Sequence, residues 1–284
     1  MKTAAIISKP AKPELRDIVP KVLEWFAHHD YKVLMDEETA AYGSNENVMP
    51  REEMAKAGPE FALVLGGDGT LLSASRAISQ SGIPILAVNL GSLGFLTEVP
   101  LQELYSTLEL VSSGECPVEA RSVVETQLFR GGNRIEKYFA LNDVVVNKSA
   151  IARLVGFDLF IRDEFVVHYK SDGVIVSTPT GSTAYSLAAG GPILAPSVDA
   201  FVITPVSPHS LTHRPLVVSA SAIIRIVVKT DSEQAFLTID GQVGVPVNHN
   251  DEIVCRKAEH SVKLLKIRRT FFDVLRNKLK WGQR

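Results

Sequence analysis

Residues 61–72, Phe61-Ala62-Leu63-Val64-Leu65-Gly66-Gly67-Asp68-Gly69-Thr70-Leu71-Leu72, restrict the fold of this chain more than any other stretch. An apolar run of strand length empties into Gly-Gly-Asp-Gly. A segment of helix formers with apolar residues at helical period follows (Leu71, Leu72, Ala74, Ser75, Ala77, Ile78). The three glycines admit positive φ and let a ligand approach the backbone closely. Successive amide N–H groups in such a turn, backed by a helix N-terminus, form a nest for an anion. Asp68 stands at the carboxyl end of the strand, where open α/β sheets hold their ligands. The turn therefore offers phosphate binding with a base or metal anchor beside it. A strand–turn–helix closed by an Asx turn accounts for the same four residues without any ligand.

The neighbouring text extends this pattern. Residues 3–8 read as a buried strand, a helix runs to about residue 29, and 31–35 is a second strand. Residues 36–58 form an excursion of loop and short helix. A strand at 84–88, the turn-rich 89–95 and a helix over 101–113 follow. Strand–helix alternation predicts a parallel sheet covered by helices. After about residue 118 the texture changes to short strand-like runs with turns between them, at 123–129, 135–141, 144–146, 154–161, 165–169, 174–177, 201–204, 216–218, 223–228, 235–239, 253–255 and 262–267. This predicts a mostly antiparallel β domain interrupted by one helix near 183–190. Residues 162–164 read as a hairpin tip. The expected domains are 1–118 (α/β, carrying the glycine turn), 119–268 (β-rich) and a terminal amphipathic helix in 269–284 that packs against a domain.

At 284 residues, 45% hydrophobic and 22% charged, with net charge −2, the chain has the composition of a soluble globular protein with no general attraction to nucleic acid. No apolar run reaches membrane-spanning length. Two cysteines without metal-ligand spacing suit a reducing, cytoplasmic setting. His209 and His213 flank prolines and make poor zinc ligands. Neither a Gly-x-x-x-x-Gly-Lys-Ser/Thr loop nor a Gly-x-Gly-x-x-Gly fingerprint occurs.

Three further clusters bear on chemistry. In 177–192, hydroxyls and glycines follow a strand and lead into a short helix with Ser182 as a candidate N-cap. Asn142-Asp143 and Asp240-Gly241-Gln242 each join a carboxylate to an amide, the combination that grips vicinal hydroxyls. Each of the three also reads as an ordinary turn.

Taken together, Gly66-Gly67-Asp68-Gly69-Thr70, Leu93-Gly94-Phe95-Leu96-Thr97-Glu98, Asp172-Gly173, the 178–186 block Thr-Pro-Thr-Gly-Ser-Thr-Ala-Tyr-Ser, Pro208-His209 and Arg214-Pro215 resemble the bacterial NAD kinase family, in that family's order. The glycine turn is shared with phosphofructokinases and with diacylglycerol and sphingosine kinases, whereas the 178–186 block is far more selective. The resemblance implies a Rossmann-like N-terminal α/β domain, a β-sandwich-like C-terminal domain, a terminal segment (269–284) returning to the N-terminal domain, and a homodimer or homotetramer. It also implies ATP as donor, NAD as acceptor and a divalent metal, Mg²⁺, without dedicated protein ligands. By the same resemblance Asp68 is the base for the 2′-hydroxyl of the adenosine ribose, and Gly66, Gly67, Gly69 and Thr70 hold ATP phosphates. The NAD contacts would be Asp68, Gly69, Phe95, Asn142, Asp143, Arg153, Lys170, Asp172, Thr183, Ala184, Tyr185, Ser186, Ala188 and Gln242. Two positions depart from the family pattern: Asp143 is shorter than the glutamate many members carry, and Ala188 replaces a common serine. A lipid kinase is disfavoured by the missing membrane signal, and a non-catalytic dinucleotide sensor by the intact Asp68.

Overall fold

The first apolar run forms β1 (Lys2–Ser8), buried from Ala4 onward. The computed structural model describes residues 2–43, 46–91, 94–148, 155–230, 235–267 and 270–281. Next come α1 (Leu15–His28), β2 (Tyr31–Met35), the one-turn helices α2 (Glu37–Ala40) and α3 (Arg51–Met54), and β3 (Phe61–Gly66). The same unit continues through α4 (Asp68–Ile78), β4 (Ile85–Asn89), β5 (Val99–Pro100), α5 (Leu104–Ser112) and β6 (Val118–Arg121). Strands β2, β1, β3 and β4 lie side by side and parallel. Apolar residues from these strands meet Val19, Val22 and Phe26 of α1 and Leu104 and Leu108 of α5 in one core.

The excursion between β2 and β3 is tied down by charge. Asp36 accepts from Thr39 N (2.8 Å) and so caps α2. Its other oxygen takes Arg51 Nε at 2.5 Å, while Arg51 NH1 reaches Ser73 Oγ on α4 at 2.8 Å.

The second unit begins with β7 (Val124–Arg130), β8 (Asn133–Ala140), β9 (Asp143–Lys148), β10 (Val155–Ile161), β11 (Glu164–Ser171) and β12 (Gly173–Ser177). A 3₁₀ turn (Gly181–Thr183) and α6 (Tyr185–Ala188) interrupt the strands. Then follow β13 (Ala200–Val206), β14 (Leu216–Ser219), β15 (Ile224–Lys229), β16 (Ala235–Ile239), β17 (Val243–Val247) and β18 (Glu252–Lys257). They build two six-stranded sheets, β11-β10-β15-β18-β7-β8 and β14-β13-β12-β9-β16-β17, antiparallel at every pairing. Inward residues from both sheets, among them Leu128, Phe157 and Ile226 of one and Val146, Val176 and Phe201 of the other, share one core. The unit is a β-sandwich. Arg162, at φ +57°, turns the β10–β11 hairpin at the expected tip.

The chain then returns. β19 (Val262–Leu265) pairs in parallel with β4 inside the first sheet, and α7 (Phe271–Leu279) follows behind a Thr270–Asp273 capping box. Packing accordingly divides the chain into residues 1–120 with 260–284, and residues 121–259. Apolar patterning alone carries the β-rich segment on to 268, because Val262-Lys263-Leu264-Leu265 reads the same in either kind of sheet.

Three local expectations change. The helix after the glycine turn starts at Asp68, one residue before Gly69. Ser182 does not cap α6: its hydroxyl donates to Pro179 O (2.6 Å) and accepts from Leu194 N (2.9 Å), closing the loop on itself. β17 is a strand that no apolar run announced, since Gly244 and Pro246 interrupt it. It lies at a sheet edge, where proline is tolerated. Among the described residues no helix is long and apolar enough to cross a membrane.

Candidate active site

The Gly-Gly-Asp-Gly turn departs from expectation in its backbone. Gly67 sits at φ −106°, and neither Gly66 nor Gly69 has positive φ. What glycine supplies here is space. A Cβ on Gly66 would overlap the Thr70 side chain, whereas around a Cβ on Gly67 nothing lies within 4 Å. The first glycine lets helix α4 start tight against β3, and the second leaves an open approach to the backbone at the helix N-terminus, where an anion is favoured.

Asp68 occupies the first position of α4, and its carboxylate is caged. Oδ1 accepts from Leu96 N (3.2 Å), Thr97 N (3.0 Å) and Thr97 Oγ1 (2.9 Å), and Oδ2 from Phe95 N (2.9 Å). The motif 94–98 therefore serves Asp68 directly, through Phe95 and two neighbours. Gly94 is glycine because a Cβ there would run into the Asp68 carboxylate. The donors leave Oδ1 saturated and Oδ2 with lone-pair capacity to spare.

In the second unit a cavity of about 260 Å³ is lined by Asn142, Asp143, Val145, Asn147, Ala184, Tyr185, Thr238, Asp240 and Gly241. Asp143, Val145 and Asn147 alternate along β9, so that one strand face supplies three walls. The volume suits one heterocycle with part of a sugar. Asn142 Oδ1 is buried with no hydrogen-bond partner, an acceptor facing a cost of about 1–3 kcal/mol unless a ligand donates to it. Burial, and then the neighbouring Asp240 charge, raise the Asp143 carboxyl to about 7.

Asp240 plays a different part from the hydroxyl grip its sequence context suggests. Its carboxylate accepts from Leu141 N (3.1 Å), Asn142 N (2.7 Å) and Asp143 N (3.2 Å), with its own backbone at φ +49°. It anchors the turn that presents Asn142 and Asp143. The segment 177–186 does similar work from the other side. Thr178 Oγ1 donates to Leu141 O (2.5 Å) and Ser177 Oγ to Asn142 O (3.3 Å), while Gly181 is packed so closely on Asn142 O that a Cβ has no room. Its hydroxyls are largely spent inside the protein: Thr183 Oγ1 donates to Thr180 O, and Ser186 Oγ pairs with Thr204 Oγ1.

The cavity thus gathers four of the expected dinucleotide residues, Asn142, Asp143, Ala184 and Tyr185, and adds Val145, Asn147, Thr238, Asp240 and Gly241. Lys170, Asp172, Thr183, Ser186, Ala188 and Gln242 lie in the same unit outside its lining. Asp172 is paired with Lys148 Nζ at 2.8 Å, so its charge is largely offset locally. Arg153 lies outside the described residues. Strand alternation was the signal that could have found Asn147. Nothing local marks Asp240 as an anchor, since its partners are 97–99 residues away.

A parallel sheet whose strand–glycine–helix turn carries a caged carboxylate, together with a β unit bearing a cavity fit for a nucleotide fragment, defines a phosphotransferase that works on nucleotides. Residues 4–116 match the ATP-NAD kinase N-terminal domain and residues 141–267 the ATP-NAD kinase C-terminal domain. The chain belongs to the NAD kinase family, and is an ATP-dependent phosphotransferase of that kind. It is 63% identical over 284 residues to the NAD kinase of Koribacter versatilis, and 50% identical over 285 residues to that of Acidobacterium capsulatum, with 100% of each chain covered. The crystal structure of yeast NADH kinase complexed with NADH superposes with a TM-score of 0.89 at 26% identity, covering 100% of this chain and 89% of that one. An NAD kinase from Archaeoglobus fulgidus in complex with ATP shares the fold, with a TM-score of 0.78 at 24% identity over 99% of this chain and 100% of the other.

Proposed function

We propose that the chain transfers the γ-phosphate of ATP to the 2′-hydroxyl of the adenosine ribose of NAD, giving NADP and ADP, with Asp68 as general base. The observation that carries this reading is the Asp68 cage, with Oδ1 saturated by three donors and Oδ2 holding only Phe95 N. The free lone pair of Oδ2 takes the 2′-hydroxyl proton as the ribose oxygen attacks the γ-phosphorus and the bond to the ADP oxygen breaks. Such a base contributes on the order of 10²–10⁴-fold. The N-terminus of α4, with the turn residues Gly66, Gly67, Gly69 and Thr70, takes the donor phosphates, and the open flank of Gly67 admits them.

Asn142, Asp143 and Tyr185 hold the acceptor. Asn142 Oδ1 receives a donor from NAD, and the exposed Tyr185 ring offers a stacking face. Lys170 faces a phosphate of the dinucleotide.

Mg²⁺ enters this reading as a cation held mainly by the donor phosphates and water beside the N-terminus of α4. When bound it supplies charge neutralisation on the transferring phosphoryl group. The buried free thiols Cys116 and Cys255 suit the cytoplasm, and the assembly we propose is a homodimer or homotetramer.

The test is incubation with ATP, Mg²⁺ and NAD, with NADP read by a dehydrogenase that ignores NAD. Asp68→Asn should leave dinucleotide binding nearly intact while kcat collapses. A kcat loss below about tenfold, short of the general-base range, removes Asp68 from that role.

A further inference from the structure

We infer that Asn89 and Thr97 form a directed hydrogen-bond relay that aims the Asp68 carboxylate, making both positioning residues for proton abstraction. The inference rests on the reading of Asp68 as base.

The direction of the relay follows from its first link. Asn89, the last residue of β4, is buried, and its Oδ1 accepts from Gly91 N at 2.6 Å. That fixes the amide so that Nδ2 donates to Thr97 Oγ1 at 2.9 Å. Because Thr97 Oγ1 accepts there, its own proton goes onward to Asp68 Oδ1, also at 2.9 Å. Thr97 has no exposed surface, so water does not compete for the hydroxyl. Each bond polarises the next, and the last is charge-assisted.

The consequence lies at the other oxygen. Turning the carboxylate out of this plane would break the three bonds to Oδ1 and the one to Oδ2, and the relay opposes that rotation. Oδ2 therefore keeps one orientation, with its lone pair free for a substrate hydroxyl. Proton transfer to a base held within about 0.5 Å of the productive geometry is far faster than to a rotating one. Neither Asn89 nor Thr97 touches substrate in this scheme.

Thr97→Val removes the hydroxyl at nearly constant shape. It should lower kcat by about tenfold or more while the KM values for NAD and ATP stay within about twofold, the split expected for a group that acts only in the transition state. Thr97→Ser, which keeps the hydroxyl, should recover to within about threefold of wild type. Asn89→Ala, which leaves Thr97 in place but unaimed, should repeat the split with a loss of about three- to tenfold, and it carries the test if the valine variant does not fold.

The decisive arm is the double variant. In an Asp68→Asn background Thr97→Val should add less than about twofold, because a relay without its base has nothing to aim. The same proportional loss in both backgrounds would mean that Thr97 is merely structural, and full kcat in Thr97→Val overturns the relay outright. An active Asp68→Asn variant sinks the base and the relay with it. An inactive Asp68→Asn beside an active Thr97→Val sinks the relay alone.

Discussion

Asp143 combines burial with a neighbouring carboxylate, and the sign of its pH effect can be worked out. In the unfolded chain an aspartate titrates near 4, whereas the folded group titrates at about 7. Between those values the folded protein binds the proton more tightly, so stability is full below about pH 4, falls as pH rises, and levels off above about 7. Asn imitates the protonated acid. Asp143→Asn should therefore melt higher than wild type at pH 8, with the difference closing toward pH 4, and paired thermal melts across that range check it. On function, Asp143→Ala should raise the KM for NAD by about tenfold or more, the cost of a lost charged hydrogen-bond partner. An unchanged KM would leave Asp143 a turn residue. The pairing of an amide with a carboxylate was visible in the text at 142–143 and again at 240–242. Which pair reaches the cavity and which one braces it depends on three backbone N–H groups about 100 residues distant from Asp240.

At the scale of elements, the β3–α4 turn makes separable demands on its glycines. Gly66→Ala would drive a Cβ into Thr70, so it should destabilise the protein by about 1–3 kcal/mol, the usual cost of overpacking a fitted site. Gly67→Ala meets no protein atom and has an ordinary backbone conformation. Its melting temperature should stay close to wild type while the KM for ATP rises, because the methyl group occupies the open approach to the helix N-terminus. Equal ATP affinity in Gly67→Ala would show that the donor phosphates lie elsewhere. The strand–turn–helix was legible because apolar period and glycine clustering are local signals. The use made of the glycines was not, since close approach depends on Thr70 and on a ligand rather than on φ. The 178–186 block shows the same limit from the other direction: its hydroxyls read as ligand donors, but Thr178 braces the turn at 141–142 and Ser182 and Thr183 close the loop on itself.

Across the whole molecule, the return of the chain is the feature that matters most for integrity. β19 occupies a place between β4 and β6 in the first sheet, with Leu264 and Leu265 paired to Ile85 and Leu86. Truncation after Glu259 removes an interior strand of that sheet, so it should abolish cooperative unfolding of the first unit. Truncation after residue 269 removes only α7 and should leave a cooperative, lower melt. Circular dichroism melts of both truncations, read beside full-length protein, decide this, and a cooperative first unit in the shorter one would contradict the topology. By itself the amino-acid sequence determined the two textures of the chain, most of its strands and helices, the phosphate-type turn and the family its motifs resemble. These are properties of near neighbours, set by apolar period, glycine content and residue type. Only the tertiary structure decided which oxygen of Asp68 stays open, what Asp240 holds, and which sheet receives 262–265. Those outcomes rest on partners 27–29 residues away for Asp68 and about 100 for Asp240, and on a strand pairing that closes across the entire second unit. Such long closures are chosen by the sum of packing and hydrogen bonding over the whole fold, which no window of sequence contains.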